Sequence, residues 1–206
     1  MITNDTLNTL SVLVTRPAHQ AEGFCQLVEN AGGNAIRFPV ITIEAVAENP
    51  ALTQQIENIA QYDYAIFIST NAVHHAIPHL PKGLPADLKI AAVGKKTAAS
   101  LGAHDIAVNI LPKHSFNTEA LLECHALQAV KGKNIAIFRG VGGRDLLADT
   151  LRQRGANVSY IEVYQRVLAK QALSLVTIHQ NCDIITVTSQ QGLRNLITLC
   201  DNKAWL

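Results

Sequence analysis

A glycine-rich turn with flanking arginines is the clearest candidate binding site in the sequence. The run Arg139-Gly140-Val141-Gly142-Gly143-Arg144 lies between an apolar run and a helical period. Backbone N–H groups in such a turn can face an anion, and the dipole of the following helix adds attraction. The turn is not a dinucleotide fingerprint, because Asp145 stands where that motif needs glycine, and it lacks the Gly-Lys-Ser/Thr of a P-loop. Anion binding and a purely structural turn therefore both remain open.

Hydroxyl, amide and ammonium groups follow three other apolar runs. Ser69-Thr70-Asn71 and Ser189-Gln190-Gln191 stand where a strand would give way to a helix. Their side chains can cap the helix, and they can also contact a ligand, because parallel α/β sheets bind ligands at the carboxyl ends of their strands. Gly94 precedes Lys95-Lys96-Thr97, whose two positive charges oppose the dipole at a helix N-terminus. Either a bound carboxylate offsets that cost or both lysines reach into solvent.

Tyr164 stands at the end of the apolar run 158–164. Val158, Tyr160, Glu162 and Tyr164 alternate with their neighbours in this run, which predicts that they share one face of a strand. A tyrosine in a strand is either structural or, if it lies in a cleft, able to donate a proton through its phenol. The sequence pattern leaves both roles open.

Composition excludes several functional classes. The 206 residues are 48% hydrophobic and 16% charged, which is typical of a folded protein and not of a disordered one. A net charge of +1 and 5% aromatic residues argue against a nucleic-acid binder. The sequence has no membrane-spanning apolar run and lacks the basic and apolar regions of a signal peptide. The four cysteines form no Cys-x-x-Cys pair, and Pro78 separates His75 from His79, so we expect a cytoplasmic protein without a metal site.

Apolar runs alternate with helical periods along the whole chain. Gly32 and Gly155 end two of these periods, as C-capping glycines do, and Pro50 opens another after Asn49. Strands that alternate with helices pair in parallel, so the sequence predicts an α/β fold with helix-covered parallel sheets. The predicted strands cover residues 11–15, 34–40, 64–69, 89–93, 106–111, 134–139, 158–164 and 184–188.

Two segments of the chain are repeated. Residues 11–41 align with 134–164 without a gap, and residues 63–77 align with 183–197 at a constant offset. Repeats in the same order predict a duplicated unit. The counterpart of 90–111 would begin only after Leu206, so we expect the half that contains the chain end to be incomplete there and to be the less stable half.

The order and spacing of these motifs resemble the uroporphyrinogen-III synthase family, in a C-terminally shortened form. The resemblance covers nearly the whole chain and is carried by VLVTRPAHQAEGF, RFPVITIEAV, IFISTNAV, AVGKKTAASLG, FRGVGGRDLLADTLRQRGA, IEVYQR and ITVTSQQGLRNL. It implies two flavodoxin-like, three-layer α/β domains that are pseudo-duplicated and joined by a two-stranded linker. The first would comprise 1–39 with 168–206 and be incomplete at its C-terminus, and the second would comprise 40–167.

The resemblance also implies a lyase of porphyrin and haem biosynthesis that acts in a cleft between its domains. Such an enzyme closes hydroxymethylbilane, a linear tetrapyrrole rich in carboxylates, to uroporphyrinogen III with inversion of ring D and loss of water, without metal or cofactor. Tyr164 is the expected catalytic residue. The expected substrate-binding residues are Arg16, Ser69, Thr70, Asn71, Lys95, Thr97, Arg139, Gly140, Gly142, Gly143, Arg144, Ser189 and Gln190.

The same resemblance predicts the partners of the protein. We expect a monomer that receives its small-molecule substrate from hydroxymethylbilane synthase and that binds neither nucleic acid nor a membrane. The alternative is a non-catalytic bilobal binding module that closes on an anionic small molecule. Such a module would share the fold but would not need Tyr164 in its cleft.

Overall fold

A computed structural model describes residues 6–47, 50–170 and 181–200. Short strands and helices alternate through this part of the chain, with short 3-10 turns at Ile59–Gln61, Ile77–His79 and His125–Leu127. In chain order the strands and helices are β1 (Ser11–Val14), α1 (Ala18–Asn30), β2 (Asn34–Arg37), β3 (Ile41–Ala45), α2 (Pro50–Glu57), β4 (Tyr64–Phe67), α3 (Thr70–Ala76), β5 (Lys89–Ala92), α4 (Lys95–Gly102), α5 (Thr118–Leu122), β6 (Asn134–Gly140), α6 (Leu146–Gln153), β7 (Asn157–Leu168), β8 (Ile184–Thr186) and α7 (Gln190–Leu199).

The strands form two sheets in which parallel pairing dominates. The smaller sheet has the order β2-β1-β8, and both of its pairs are parallel. The larger sheet has the order β3-β7-β6-β4-β5, and the pairs β7-β6, β6-β4 and β4-β5 are parallel. This arrangement confirms the predicted α/β class with mainly parallel sheets.

The chain divides into two compact units, one comprising Met1–Ile43 with Arg166–Leu206 and the other Glu44–Gln165. In the first unit, side chains from the two faces of β1 enter different apolar clusters. Val12 packs in the cluster that contains α1 residues, whereas Leu13 packs in the cluster that contains Leu196 of α7. This alternation is what a strand covered on both faces requires, because successive side chains point to opposite faces.

The second unit has its main apolar cluster between the sheet and the helices α5 and α6. Isoleucines from β4 and β6 pack there against leucines of the two helices. On the same strands, the rings of Phe67 and Phe138 stack with centroids 4.5 Å apart. The ends of these strands, where a ligand would bind, are thus held by a close-packed sheet.

Local signals at helix ends agree with the structure. Gly32 and Gly155 have φ angles of 82° and 85°, in the left-handed region that suits a C-capping glycine. The helix α2 begins at Pro50 as predicted, while Asn49 lies outside the described residues. Residues 201–206, where the first domain was predicted to be incomplete, also lie outside the described residues.

The predicted strand at 106–111 is wrong. Only an isolated bridge forms there, between Ile110 and Ala91 of β5. The Asn109 side chain explains why, because its Oδ1 accepts a hydrogen bond from the Ile90 N–H at 2.7 Å, in place of a backbone carbonyl. Asp105, just before this segment, has a φ of 58° and turns the chain out of an extended path.

The same hydrogen bond recurs at corresponding places in the two units. In the first unit the Ser11 N–H donates to Asp183 Oδ2 at 2.8 Å, and in the second the Asn134 N–H donates to Asp63 Oδ2, also at 2.8 Å. In each case an aspartate just before one strand caps the first residue of the neighbouring strand. The two aspartates are equivalent in the sequence repeat.

The register of the sheets is repeated as well. Ser11 pairs with Asn34 and Asn134 pairs with Asn157, so both β-α-β connections have the same spacing of 23 residues. The strand β8 lies on the other side of β1, just as β4 lies on the other side of β6. Each unit therefore contains a β-α-β connection of the same length, with a third strand on the other side of its first strand.

We expect Asp63→Asn to make the protein less stable at neutral pH, and to have a smaller effect in acid. The Lys133 ammonium, 2.7 Å from Oδ1, and the Asn134 N–H hold the pKa of the Asp63 carboxyl below its ordinary value of 3.8. A lowered pKa contributes stability that is present above the ordinary value and is lost as the pH falls through the lowered one. The expected loss in free energy of unfolding is about 1 kcal/mol near pH 7, since the pair is partly exposed.

Urea denaturation of the parent and the Asp63→Asn variant at neutral pH and at about pH 3 measures this difference. The substitution Asp87→Asn, at an exposed aspartate before β5, is the matched control. A loss of the same size at both pH values would contradict the assigned role of the Asp63 carboxylate.

Candidate functional site

The ring of Tyr164 lies across Gly140 and reaches Ser69. Tyr164 stands in β7, Gly140 ends the neighbouring β6, and Ser69 follows β4 on the far side of β6. Ser69 Oγ and Tyr164 Oη are 3.2 Å apart, a hydrogen-bond distance between residues 95 positions apart in the chain. A Cβ at Gly140 would lie 2.5 Å from Cε2 of the tyrosine ring, so glycine is required there. The ring of Tyr164 is fully buried, and Ser69 is half-buried.

A bulge between β6 and β7 decides where Tyr164 points. Arg139 pairs with Glu162, but the next residue, Gly140, pairs with Tyr164, so β7 has one residue more than β6 at this point. The Tyr160 ring lies against Arg139, whereas the Tyr164 ring lies against Gly140. Because successive residues of β6 point to opposite faces, the two tyrosines lie on opposite faces of the sheet. The predicted alternation, with both on one face, is wrong.

The turn Ser69-Thr70-Asn71 begins α3 and combines a cap with a contact to Tyr164. Ser69 Oγ caps the helix by accepting a hydrogen bond from the Ala72 N–H at 3.1 Å. Asn71 is buried at the start of the helix. His75, one turn further on, stacks its ring on Tyr164 with centroids 5.8 Å apart. From the sequence, His75 was considered only as a metal ligand, and this contact was not predicted. Its spacing of four residues from Asn71 indicates that both lie on one face of the helix.

The Arg139 side chain holds the glycine-rich turn. Its guanidinium donates to the carbonyl oxygens of Gly140, at 3.2 Å, and Gly142, and it forms an ion pair with Asp145 at 3.1 Å. Gly142 and Gly143 have φ angles of 70° and 108°, which favour glycine. Arg139 is only 4% exposed and directs its hydrogen bonds into the turn. Its predicted contact with a substrate carboxylate stays a prediction.

Tyr160 and Asp145 complete the contacts of Arg139. The Tyr160 O–H donates to Asp145 Oδ1 at 2.7 Å, and the Arg139 guanidinium carbon lies 4.3 Å from the centre of the Tyr160 ring. The hydrogen bonds from Tyr160 and Arg139 lower the pKa of the Asp145 carboxyl. Burial, together with the carboxylate, raises the pKa of the Tyr160 phenol. Sequence reasoning missed this pair, because no local pattern connects a strand residue with the turn before the preceding helix.

Two exposed cations follow strands of the same sheet, Lys95 after β5 and Arg144 after β6. Lys95 begins α4, and its Nζ lies 5.0 Å from the centre of the Phe116 ring. Arg144 is 72% exposed and forms an ion pair with Glu119 of α5 at 3.2 Å. Both charged groups remain accessible to solvent. Thr97, by contrast, is buried in α4.

Three predicted site residues belong to the other compact unit. Arg16 follows β1, and Gln190 is the exposed first residue of α7. Ser189 caps α7, because its Oγ accepts a hydrogen bond from the Gly192 N–H at 3.0 Å. The capping role repeats that of Ser69, and the part of these three residues in substrate binding stays a prediction.

A cavity of about 750 Å³ lies near the amino end of β5. Its walls include Leu88, Ile90 and Asn109, and none of the predicted site residues lines it. Within the described ranges, no three His, Cys, Asp or Glu side chains are grouped to bind a metal ion. None of the helices in these ranges has the length and apolar character needed to cross a membrane.

Sequence comparisons identify relatives along most of the chain. A family model described as Uroporphyrinogen-III synthase HemD matches residues 23–206. The uroporphyrinogen-III synthase of Proteus mirabilis is 37% identical over 164 residues, which are 77% of this chain and 81% of the relative. Those of Salmonella typhimurium (strain LT2) and Escherichia coli (strain K12) are 33% and 31% identical, each over 92% of this chain and 80% of the relative.

Solved structures share the fold. A mutant uroporphyrinogen III synthase from the extremely thermophilic bacterium Thermus thermophilus has a TM-score of 0.68 at 19% identity, over 96% of this chain and 79% of that one. Uroporphyrinogen-III synthetase from Helicobacter pylori 26695 has a TM-score of 0.57 at 16% identity, over 94% and 79%. At these identities the likeness shows the mixed α/β fold alone, whereas the family model and the curated relatives show descent. The chain therefore belongs to the uroporphyrinogen-III synthase family.

Proposed function

We propose that the ends of β4 and β6, together with the point of β7 where its pairing with β6 ends, carry the catalytic residues of a uroporphyrinogen-III synthase. The enzyme is a lyase of porphyrin and haem biosynthesis that closes hydroxymethylbilane to uroporphyrinogen III, with inversion of ring D and loss of water. The observation that carries the site is the 3.2 Å contact between Ser69 Oγ and Tyr164 Oη. It brings two hydroxyl groups together beside the carboxyl ends of the parallel strands β4 and β6, where α/β proteins bind their ligands.

Tyr164 assists departure of the substrate hydroxyl. The electron-rich pyrrole expels this hydroxyl to give an azafulvene, so the leaving oxygen needs only one proton. Because Tyr164 is buried and Ser69 half-buried, the phenol proton passes to Ser69 Oγ while the Ser69 hydroxyl proton passes to the leaving oxygen, which departs as water. Ring D then attacks through its substituted carbon, and the spiro intermediate fragments and recloses inverted. The proton released from the ring restores the phenol.

Substrate carboxylates are held by the exposed cations and by the glycine-rich turn. Uncatalysed closure gives the isomer without inversion, so the enzyme acts mainly by holding geometry, which can contribute several kcal/mol. Lys95 and Arg144 offer charge-assisted hydrogen bonds to carboxylates. The Gly142 N–H already donates to the Glu162 carboxylate at 3.3 Å, which supports the proposal that this amide binds such groups. A substrate carboxylate would replace Glu162 there.

Incubation of the protein with freshly made hydroxymethylbilane tests the function. We expect uroporphyrinogen III to form in excess over isomer I, with the two separated by chromatography after oxidation to porphyrins. Isomer I alone, formed at the enzyme-free rate, would contradict the proposal. The same assay separates the alternative, because a binding module would retain the tetrapyrrole without changing the isomer ratio. Membership of the synthase family does not favour that alternative.

Replacing Arg144 with Gln is expected to raise KM for hydroxymethylbilane about two- to fivefold and to leave kcat unchanged, since an exposed ion pair contributes up to about 1 kcal/mol. The variant should also lose part of the salt dependence of KM, because ions screen exposed charges. Initial rates over a salt series measure both effects. Lys131→Gln, at an exposed cation before the amino end of β6, is the charge-matched control. Equal KM and equal salt dependence in both variants would leave Arg144 without a role in binding.

We also propose that the two units are pseudo-duplicated, flavodoxin-like domains, comprising 1–39 with 168–206 and 40–167. The repeated aspartate hydrogen bonds and the repeated strand register support the duplication. A two-stranded linker is supported by β3 and β7, which are neighbours in the larger sheet and both contain a boundary of the compact units.

The proposed function includes a hand-off of the substrate from hydroxymethylbilane synthase to a monomeric enzyme. A linear tetrapyrrole that closes spontaneously to the wrong isomer is best transferred without a long stay in solution. The near-neutral net charge of +1 supports the further proposal that no nucleic acid is a partner, because polyanion binders carry an excess of basic residues.

A further inference from the structure

Tyr160 and Asp145 lie on the face of the sheet opposite the Tyr164 ring. They are nevertheless connected to that ring, because both contact Arg139, which contacts Gly140 beside the ring. We propose that both are positioning residues, which set the place of the Tyr164 phenol through Arg139 and Gly140. This inference rests on the proposed function, since it assigns the two residues to the same reaction. Three steps carry it, each on contacts in the second compact unit.

First, Tyr160 and Asp145 together hold the Arg139 guanidinium in one orientation. Asp145 Oδ1 accepts hydrogen bonds from Tyr160 Oη at 2.7 Å and from Arg139 Nη1 at 3.1 Å, so one oxygen ties the two donors together. The guanidinium also lies over the Tyr160 ring, with its carbon 4.3 Å from the ring centre. A planar cation that is held over a ring and hydrogen-bonded at its edge can neither slide nor rotate without losing a contact.

Second, Arg139 holds the backbone of the turn. Its Nε donates to the Gly140 carbonyl at 3.2 Å, and its Nη2 donates to the Gly142 carbonyl. Glycines at φ angles of 70° and 108° in this turn have no side chains to pack, so the guanidinium supplies the contacts that keep the turn in place. Movement of Arg139 therefore moves Gly140.

Third, Gly140 sets the place of Tyr164. The ring lies against the glycine, where even a Cβ would come within 2.5 Å, and the adjacent Val141 N–H donates to the Tyr164 carbonyl at 2.8 Å. The phenol must then meet Ser69 Oγ, which is 3.2 Å away. A hydrogen bond of that length has little room to stretch before it weakens. Displacement of Gly140 therefore interrupts the proton path without removing any residue from it.

Tyr160→Phe tests the inference, because it keeps the ring beneath Arg139 and removes only the O–H. We expect kcat to fall about three- to tenfold, as for the loss of one hydrogen bond, and KM to change less than about twofold. Tyr64→Phe is the matched control, since the Tyr64 O–H donates to the Ala126 carbonyl at 3.2 Å, away from the turn. A Tyr160→Phe enzyme with the kcat of the parent would overturn the inference.

A double-substitution cycle shows whether the effect passes through the phenol. In the Tyr164→Phe background, we expect Tyr160→Phe to lower kcat no further. A further fall in kcat as large as that of Tyr160→Phe alone would overturn the inference. Hydrogen exchange of the peptide containing the turn adds a readout that does not depend on activity, and we expect faster exchange in Tyr160→Phe than in Tyr64→Phe. A parent protein that forms no isomer III would contradict the proposed function. A slow Tyr164→Phe beside an unaffected Tyr160→Phe would overturn the inference alone.

Discussion

Tyr164→Phe is expected to slow formation of uroporphyrinogen III by up to about a hundredfold. General acid assistance contributes about 10²–10⁴-fold to the rate in enzymes. The electron-rich pyrrole expels the hydroxyl with little assistance, so we expect the loss of rate to lie at or below the lower bound of this range. The Phe ring would fill the same space against Gly140 and His75, so we expect the fold to be retained. The substitution removes the hydrogen bond between the phenol and Ser69.

Initial rates with freshly made hydroxymethylbilane give kcat and KM for this variant, and the share of isomer I in the product reports how much substrate closes without the enzyme. We expect KM to change little, because the carboxylate contacts remain. Tyr64→Phe, whose hydroxyl donates to the Ala126 carbonyl, serves as the control for loss of a tyrosine hydroxyl in the same sheet. A folded Tyr164→Phe enzyme with an unchanged rate would remove Tyr164 from the catalytic site.

Gly140→Ala is expected to damage stability and activity together. The added Cβ would lie 2.5 Å from Cε2 and 2.6 Å from Cζ of Tyr164, distances that no packed side chain adopts. Tyr164 is fully buried, so its ring cannot turn aside into solvent. We expect the free energy of unfolding to fall by about 1–3 kcal/mol, as for other overpacked cores. Since a misplacement of about 1 Å can cost about a hundredfold in rate, kcat should fall about as far as in Tyr164→Phe.

Urea denaturation and initial rates of the same preparation measure both effects of Gly140→Ala. The matched control is Gly23→Ala in α1, where no atom lies within 4 Å of the new Cβ. That substitution should stabilise the protein by up to about 1 kcal/mol, because alanine is the better helix residue, and it should leave kcat unchanged. If Gly140→Ala behaves like Gly23→Ala, the close approach of Gly140 to the tyrosine ring does not constrain the site.

Local patterns in the sequence were sufficient to predict most of the elements. The runs at 11–15, 64–69 and 134–139 form β1, β4 and β6 at nearly the predicted bounds, because β-branched and aromatic residues between turn signals favour buried strands. The alternation of strands and helices then predicted the parallel pairing. The segment 106–111 had the same composition and forms no strand, because a side-chain amide, which composition does not reveal, takes one of the backbone hydrogen bonds.

The candidate site was predictable only in part. Ser69 and the glycine-rich turn were recognised because residues between a strand and a helix lie at the carboxyl end of a parallel sheet. The direction in which the Arg139 side chain points could not be predicted from its position between a strand and a helix. The guanidinium of Arg139 lies buried against the turn and Tyr160, and its expected contact with a carboxylate ligand stays a prediction. An arginine beside glycines has the same sequence signature in both arrangements.

The family, the α/β class and the repeated βαβ spacing could be predicted from the amino-acid sequence, because each of these depends on the order of residue types along the chain. The contact between Tyr164 and Ser69 could be found only in the folded chain, since it joins residues 95 positions apart and depends on one bulge in β7. Without the extra residue, Tyr164 would face the side of the sheet that Tyr160 occupies. A bulge adds one residue to one strand and leaves the hydrophobic pattern almost unchanged, so the pattern could not reveal it.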